Sequence, residues 1–306
     1  MLWRKGVAVF LGKDGRFLFL RVYSMSHRVK RFISPGGWFA MYYPQEWNEF
    51  DGGEGTFLFY NPEQWNGNFR ISAYRDGQSD YGAKFVEQEL ADNPTAVRRR
   101  VGKWMCAYSC EEFVENGQQY DSHFWLLDGG DTGIECSFTV LHGTPGEVGA
   151  AIVASIEVRP IGSKVPAEVI PLRLSEMYAI EEACDHVTLL LKKNLSANLQ
   201  VGEGDLENLQ RLVESQTLSA KKREHWMALG IVLCAIFANE VEGVEWCTLV
   251  DGNREVPVLQ CPSTRLVADP MKLFWSKVRN GEPCNVFDAY DRLSDILPGK
   301  TTFEEE

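Results

Sequence analysis

Apolar and polar positions alternate through the first half of the chain and recur at helical spacing through most of the second. Between Phe32 and Tyr74 stand 13 aromatic residues, gathered in three short runs, Trp38–Tyr43, Thr56–Tyr60 and Phe69–Tyr74. Turn chemistry parts the runs: Pro44, Asp51-Gly52-Gly53, Asn61-Pro62 and Asn66-Gly67. Aromatic runs bounded in this way predict three antiparallel strands. A partly apolar stripe of Ala83, Val86 and Leu90 then predicts a helix over 81–93, stopped by Asn93-Pro94. Longer strands are predicted at Lys103–Glu115, Gln119–Leu127 and Ile134–Leu141. Asn116-Gly117 joins the first two as a tight hairpin turn, and Asp128–Asp131 joins the last two. Thr144-Pro145-Gly146-Glu147 has the form of a capping box with proline at the first helical position, and opens a helix to about Ile156.

The pattern changes after Arg159–Pro166, a segment with two prolines and a glycine that reads as a linker. Helices are predicted over 176–195 and 206–213, parted by Gly202-Glu203-Gly204, and over 221–239, where Trp226, Leu229, Leu233, Ile236 and Phe237 mark a buried face. A hairpin around Asp251-Gly252 follows. Asp269-Pro270 caps a short helix to Asn280, and a last helix covers 286–293. The predicted fold class is α+β: an N-terminal antiparallel sheet with flanking helices over 32–160, then a smaller, helix-first α+β domain over 161–298. Residues 1–31 stand apart as a basic extension, and 299–306 as an acidic tail.

Charge sharpens this division. Residues 1–31 carry a net charge of +7, residues 32–158 carry −12 and residues 159–306 carry −7. A sheet domain this acidic repels phosphate backbones, which argues against nucleic acid as a partner and for a protein, a basic one in particular. Arg98-Arg99-Arg100 is its one basic cluster and reads as a solvated strand start. The longest apolar run, Leu229–Ala238, is about half of what a membrane span needs, so no membrane association is expected. The eight cysteines show no Cys-x-x-Cys pair and no regular spacing, and they read as reduced thiols in a cytoplasmic protein. In residues 1–24, Val7–Gly12 and Arg16–Tyr23 flank Lys13-Asp14-Gly15 in the pattern of a hairpin, expected to be dispensable for folding.

The order of motifs resembles known proteins. A strand ending in Tyr-Pro with tryptophan just after it (Phe39–Trp47), a paired strand, and then Gly67–Arg75 resemble the start of the domain fold shared by photosystem PsbP proteins and Ran-binding Mog-type proteins. Ser34-Pro35-Gly36-Gly37-Trp38-Phe39, through Trp65-Asn66-Gly67-Asn68-Phe69-Arg70-Ile71-Ser72, is similar to an uncharacterised two-domain family of Bacteroides-type bacteria. Leu229-Gly230, Trp246 and Asp269-Pro270 resemble its second domain, so the resemblance covers about residues 32–293. It implies a fold for the first domain and hands over no catalytic residue. PsbP-like and Mog-type proteins act as accessory or partner-binding proteins, so it also implies binding rather than catalysis.

Catalytic constellations do not form at the level of sequence. Gly299-Lys300-Thr301-Thr302 resembles the end of a phosphate-binding loop, but the loop's first glycine would fall on Ser294. On a helix, Cys184 and His186 point apart, and in a strand Ser122 faces away from Asp121 and His123. The five histidines show no ligand spacing, and neither metal nor cofactor is expected. Aromatics near turns remain as candidate binding residues: Trp47, Trp65 with Asn66, Trp246 and Trp275. The expectation is a non-catalytic, accessory or inhibitor/immunity-like protein. The alternative is a hydrolase or transferase whose site is assembled between the two domains.

Overall fold

The structure is a computed structural model. It describes residues 2–4, 7–11, 17–21, 29–164, 166–252, 254–297 and 300–301. The chain divides into two compact units. One comprises His27–Ile170 with Val250–Arg254; the other comprises Pro171–Leu249 and Glu255–Glu306 with Met1–Ser26. Arg159–Pro166 therefore lies inside the first unit, and the chain leaves it between Ile170 and Pro171. The class is α+β, with the sheet-rich part first and a helix-first part after it.

In the first unit seven antiparallel strands form one sheet. Their order is Asn48–Asp51, Phe57–Tyr60, Asn68–Tyr74, Gly133–Leu141, Gln118–Asp128, Trp104–Glu115 and Val97–Val101. Only two of the three aromatic runs join it. The first, as Phe39–Pro44, belongs to a separate three-stranded sheet between Glu157–Val158 and Val29–Ile33. The reason is local. Gly36 and Gly37 take φ of +69° and +67°, Gly37 N donates to Ser34 O, and Phe39 N donates to the Ser34 hydroxyl. The chain folds back there and pairs with the strand just before it. Arg31, placed by charge in the basic extension, sits in that strand and binds Glu157 and Glu168 at 3.0 and 2.8 Å.

The small sheet supplies Phe32, Phe39, Met41 and Tyr43 to a core shared with Phe59, Phe69, Trp125, Leu127, Cys136 and Phe138 of the large one. Helix α1 (Tyr81–Asp92) covers the outer face of the large sheet, with Val86 on Ala107 and Leu126. Helix α2 (Glu147–Ser155) closes the core side through Ile152 and Val153. The expected capping box at its start does not form. Gly146 is the N-cap and no side chain caps the helix. A Cβ at Gly146 would come within 2.8 Å of the His123 ring, so this close approach sets the helix start.

In the second unit α3 (Leu174–Leu195), α4 (Asp205–Glu214) and α7 (Val286–Ile296) share a core with α5 (Arg223–Glu240). Helix α5 is apolar nearly all round, from Trp226 to Ala238, as a central helix must be. The strands Glu245–Asp251 and Arg254–Cys261, apart from Val250–Arg254 assigned to the first unit, continue to Leu266–Ala268. Asp269 accepts from Met271 N and starts a short 3-10 turn ahead of α6 (Trp275–Arg279). A Cβ at Gly230 would lie 2.3 Å from Pro270 O, so Leu229-Gly230 and Asp269-Pro270 are two sides of one contact. Among the described residues no helix is long and apolar enough to cross a membrane. Lys300–Thr301 pairs with Val241–Glu242; the rest of the acidic tail, and the turn and side chains of the hairpin in residues 1–24, lie outside the description.

Candidate binding surface

The loop from Asn61 to Gly67 holds Trp65 in place. The Asn61 side chain accepts from Glu63 N at 2.9 Å and Gln64 N at 3.2 Å, closing a turn on itself. Buried Trp47 donates from Nε1 to Asn66 Oδ1 at 3.0 Å and stacks on Phe138 with ring centres 6.0 Å apart. Gly67, at φ +122°, lies so close to Phe138 and Val140 that a Cβ would come within 2.6 Å of the ring. Fixed on both sides, Trp65 stands 40% exposed and meets Tyr120 edge-on at 5.9 Å.

The long hairpin supplies the rest of the patch. Asn116 and Gly117 take φ of +51° and +79°, the left-handed pair that a two-residue turn requires. The register places Phe113 opposite Tyr120, and Tyr120 opposite Leu141. All three share the outer face with Ala107 and Leu126. Helix α1 covers that face at Ala107 and Leu126, and leaves its far end open. Phe113 stacks on Tyr120 at 5.4 Å and is 39% exposed; Leu141 is 42% exposed. Trp65, Tyr120, Phe113 and Leu141 thus form an apolar patch, and Glu111 and Glu115 flank Phe113 on the same strand face. No lysine or arginine stands in 61–66, 111–121 or 141–147.

The core face at this end carries polar chemistry. His123 lies opposite Cys110, and its Nδ1 bonds the Tyr108 hydroxyl at 2.8 Å. His123 Nε2 is buried and has no hydrogen-bond partner among the described residues. Burial pushes the imidazole down from its ordinary value and pushes the Cys110 thiol up, the latter helped by the Asp121 carboxylate. A nucleophilic cysteine needs the opposite shift, so this pair is poorly suited to thiolate chemistry. Two strand positions further on, Glu112, Asp121 and His142 hold donor atoms within 4.8 Å of one another. They could ligate a cation, but both Asp121 oxygens are engaged, by His142 Nδ1 at 2.7 Å and Gly143 N at 3.0 Å. Those bonds lower the Asp121 pKa and raise that of His142.

The remaining candidates are dispersed. Trp47 and Trp246 are each 1% exposed and are core residues, not anchors. Trp275 is half-buried against the core of the second unit. Asn66 acts by holding Trp47. Sequence reading passed over Phe113, Tyr120 and Leu141, although the Asn116-Gly117 turn already implied the first pairing. His186, weighed in the sequence only beside Cys184, instead meets His225, 39 positions away. Their Nε2 and Nδ1 meet at 2.6 Å with the rings stacked. Cys184, one of the neighbours of His186, is buried, with its thiol pushed up to about 12 by desolvation.

Comparison with known proteins gives two family matches in order. Residues 27–181 match a domain of unknown function, DUF3805, and residues 205–290 match another, DUF3806. A crystal structure from Bacteroides thetaiotaomicron is 49% identical, with a TM-score of 0.84 over 88% of this chain and 99% of that one. The solution structure of cyanobacterial PsbP from Synechocystis is 13% identical, with a TM-score of 0.26 over 43% of this chain and 93% of that one. No curated protein matches.

Proposed function

The chain belongs to the two-domain family in which DUF3805 precedes DUF3806, and from that premise we propose a non-catalytic, protein-binding role in which the first unit docks a partner on the Trp65 patch. The observation that carries this reading is the patch itself. A tryptophan is held rigidly at the surface by its flanking residues and extended by Tyr120, Phe113 and Leu141. A fixed aromatic anchor loses little conformational entropy on binding, and such anchors dominate interface energetics. Glu111, Glu115 and the net −12 of residues 32–158 favour a basic partner, as for an accessory protein or an inhibitor of a basic effector. The raised Cys110 thiol and the engaged Asp121 carboxylate support a role without catalysis. All eight cysteines are free, which supports a cytoplasmic location.

Affinity capture from the native host tests the reading, with the unaltered chain and Trp65→Ala/Phe113→Ser compared side by side. Both side chains lie outside the buried core, so the variant is expected to stay folded, which its melting temperature checks. A protein retained by the first and lost by the second, and then shown to bind in purified form, is the expected result. Equal retention by both would refute the patch as the docking site.

A further inference from the structure

The large sheet is incomplete on one side of its longest hairpin. The edge strand Val97–Val101 pairs with Trp104–Tyr108 and goes no further: its last partners are Val97 and Tyr108. On the other side, pairing of the same long strand continues to Glu115 and Gln118. Among the described residues the strand from Ser109 to Glu115 is therefore paired on one side alone, and Cys110–Glu115 are all exposed. In a two-residue hairpin the residues flanking the turn, here Glu115 and Gln118, exchange both of their backbone bonds. The outward-pointing amides and carbonyls then belong to Val114, Glu112 and Cys110.

Natural edges are commonly blocked by proline, lysine, a bulge or a covering element. This segment has neither proline nor lysine, and its pairing with Gln118–Asp128 runs without a break. It carries Glu111, Glu112 and Glu115, and among the described residues none of these carboxylates forms an ion pair with a lysine or arginine. Val114 is 69% exposed. Phe113, on the same segment, belongs to the aromatic patch, so edge and patch form one continuous surface.

We infer that the open edge at Cys110–Glu115 takes an extended, lysine- or arginine-bearing segment of a protein partner by strand addition. This rests on the docking role proposed for the patch and specifies the partner's chemistry. Strand addition satisfies the outward backbone groups, while alternate side chains of the added strand meet the acids. A second copy of this chain is a poor occupant, because pairing the edge with itself would bring three carboxylates from each copy onto one ribbon without a cation. The acids thus disfavour self-pairing and favour a basic strand through the same charge.

The test uses the full chain and a synthetic seven-residue peptide alternating lysine with valine, with a glutamate-for-lysine peptide as control. Segment-resolved hydrogen exchange is read over Cys110–Glu115, and affinity by fluorescence anisotropy. The lysine peptide should slow exchange in that segment, lose affinity with added salt, and bind about tenfold more weakly to Val114→Pro, the equivalent of one lost hydrogen bond. Val114 points its N–H outward, so this variant keeps the ladder and its melting temperature. Three results would overturn the inference: equal binding of the two peptides, unchanged affinity in Val114→Pro, or protection that grows with protein concentration in the absence of peptide. Loss of the captured partner in Trp65→Ala/Phe113→Ser without peptide protection would leave the docking role standing and reject strand addition. Retention of that partner would reject the docking role itself.

Discussion

Replacing Gly67 by alanine probes what fixes the Trp65 loop. At φ +122° a residue with a Cβ is strained, and the added atom would lie 2.6 Å from Phe138 Cε2, 2.8 Å from Phe138 Cζ and 2.8 Å from Val140 Cγ1. Both neighbours are 1% exposed and belong to the packed core, so neither can swing aside. The backbone term costs about 1–3 kcal/mol, overpacking costs about as much again, and the stiffer unfolded chain returns up to about 1 kcal/mol. A net loss of about 1–6 kcal/mol is expected by urea unfolding followed by tryptophan fluorescence. Gly53→Ala is the control. It has a similar left-handed requirement, at φ +78°, but open space around the missing Cβ, and should cost only the backbone term. If Gly67→Ala stays within about 0.5 kcal/mol of the parent, or matches Gly53→Ala, then Gly67 is not wedged against Phe138 and the argument for a rigid Trp65 fails.

Three further expectations concern other parts of the molecule. Gly230→Ala adds about 1 kcal/mol of helix propensity to α5 but drives a Cβ onto Pro270 O, so the variant should unfold about 1–3 kcal/mol more easily; a gain in stability would contradict that contact. Burial pushes the Glu245 carboxyl up to about 7. The native state keeps its proton while the unfolded chain releases it near 4.3, so stability falls as pH rises between those values; urea midpoints should show Glu245→Gln more stable by roughly 2–4 kcal/mol at pH 8 and little changed at pH 4, and an equal gain at both would be contrary. Zinc, magnesium, ATP and NAD should give no saturable rise in melting temperature, against about 2.7 kcal/mol for a ligand at a hundredfold excess over its Kd; a zinc shift removed by His142→Ala would show that the Asp121 cluster holds metal after all.

Local chemistry made much of this fold legible. The alternation over 103–141 and the Asn116-Gly117 turn set the long hairpin, and a two-residue turn alone pairs Phe113 with Tyr120 and Cys110 with His123. The helical spacing from Trp226 to Phe237 marked the central helix. What stayed hidden depends on contacts distant in sequence. Trp47 and Trp65 both stand beside turns, and only tertiary packing sends one into the core and the other to the surface. The strand Phe39–Pro44 carries the same aromatic signal as its neighbours, yet the Gly36-Gly37 reversal commits it to another sheet. Thr144–Glu147 has the composition of a capping box, but the His123 ring fixes the start of α2 at Gly146. Leu141 and Trp65 reach Tyr120 from separate segments, so the patch has no contiguous signature along the chain.

The central claim is that a rigid aromatic patch on the first unit binds a protein partner. Once a partner is purified, calorimetry of the unaltered chain and of Trp65→Ala tests this most directly. The account predicts a loss of at least about 2 kcal/mol in binding free energy, roughly thirtyfold in Kd, with no change in melting temperature. An unchanged Kd would contradict it.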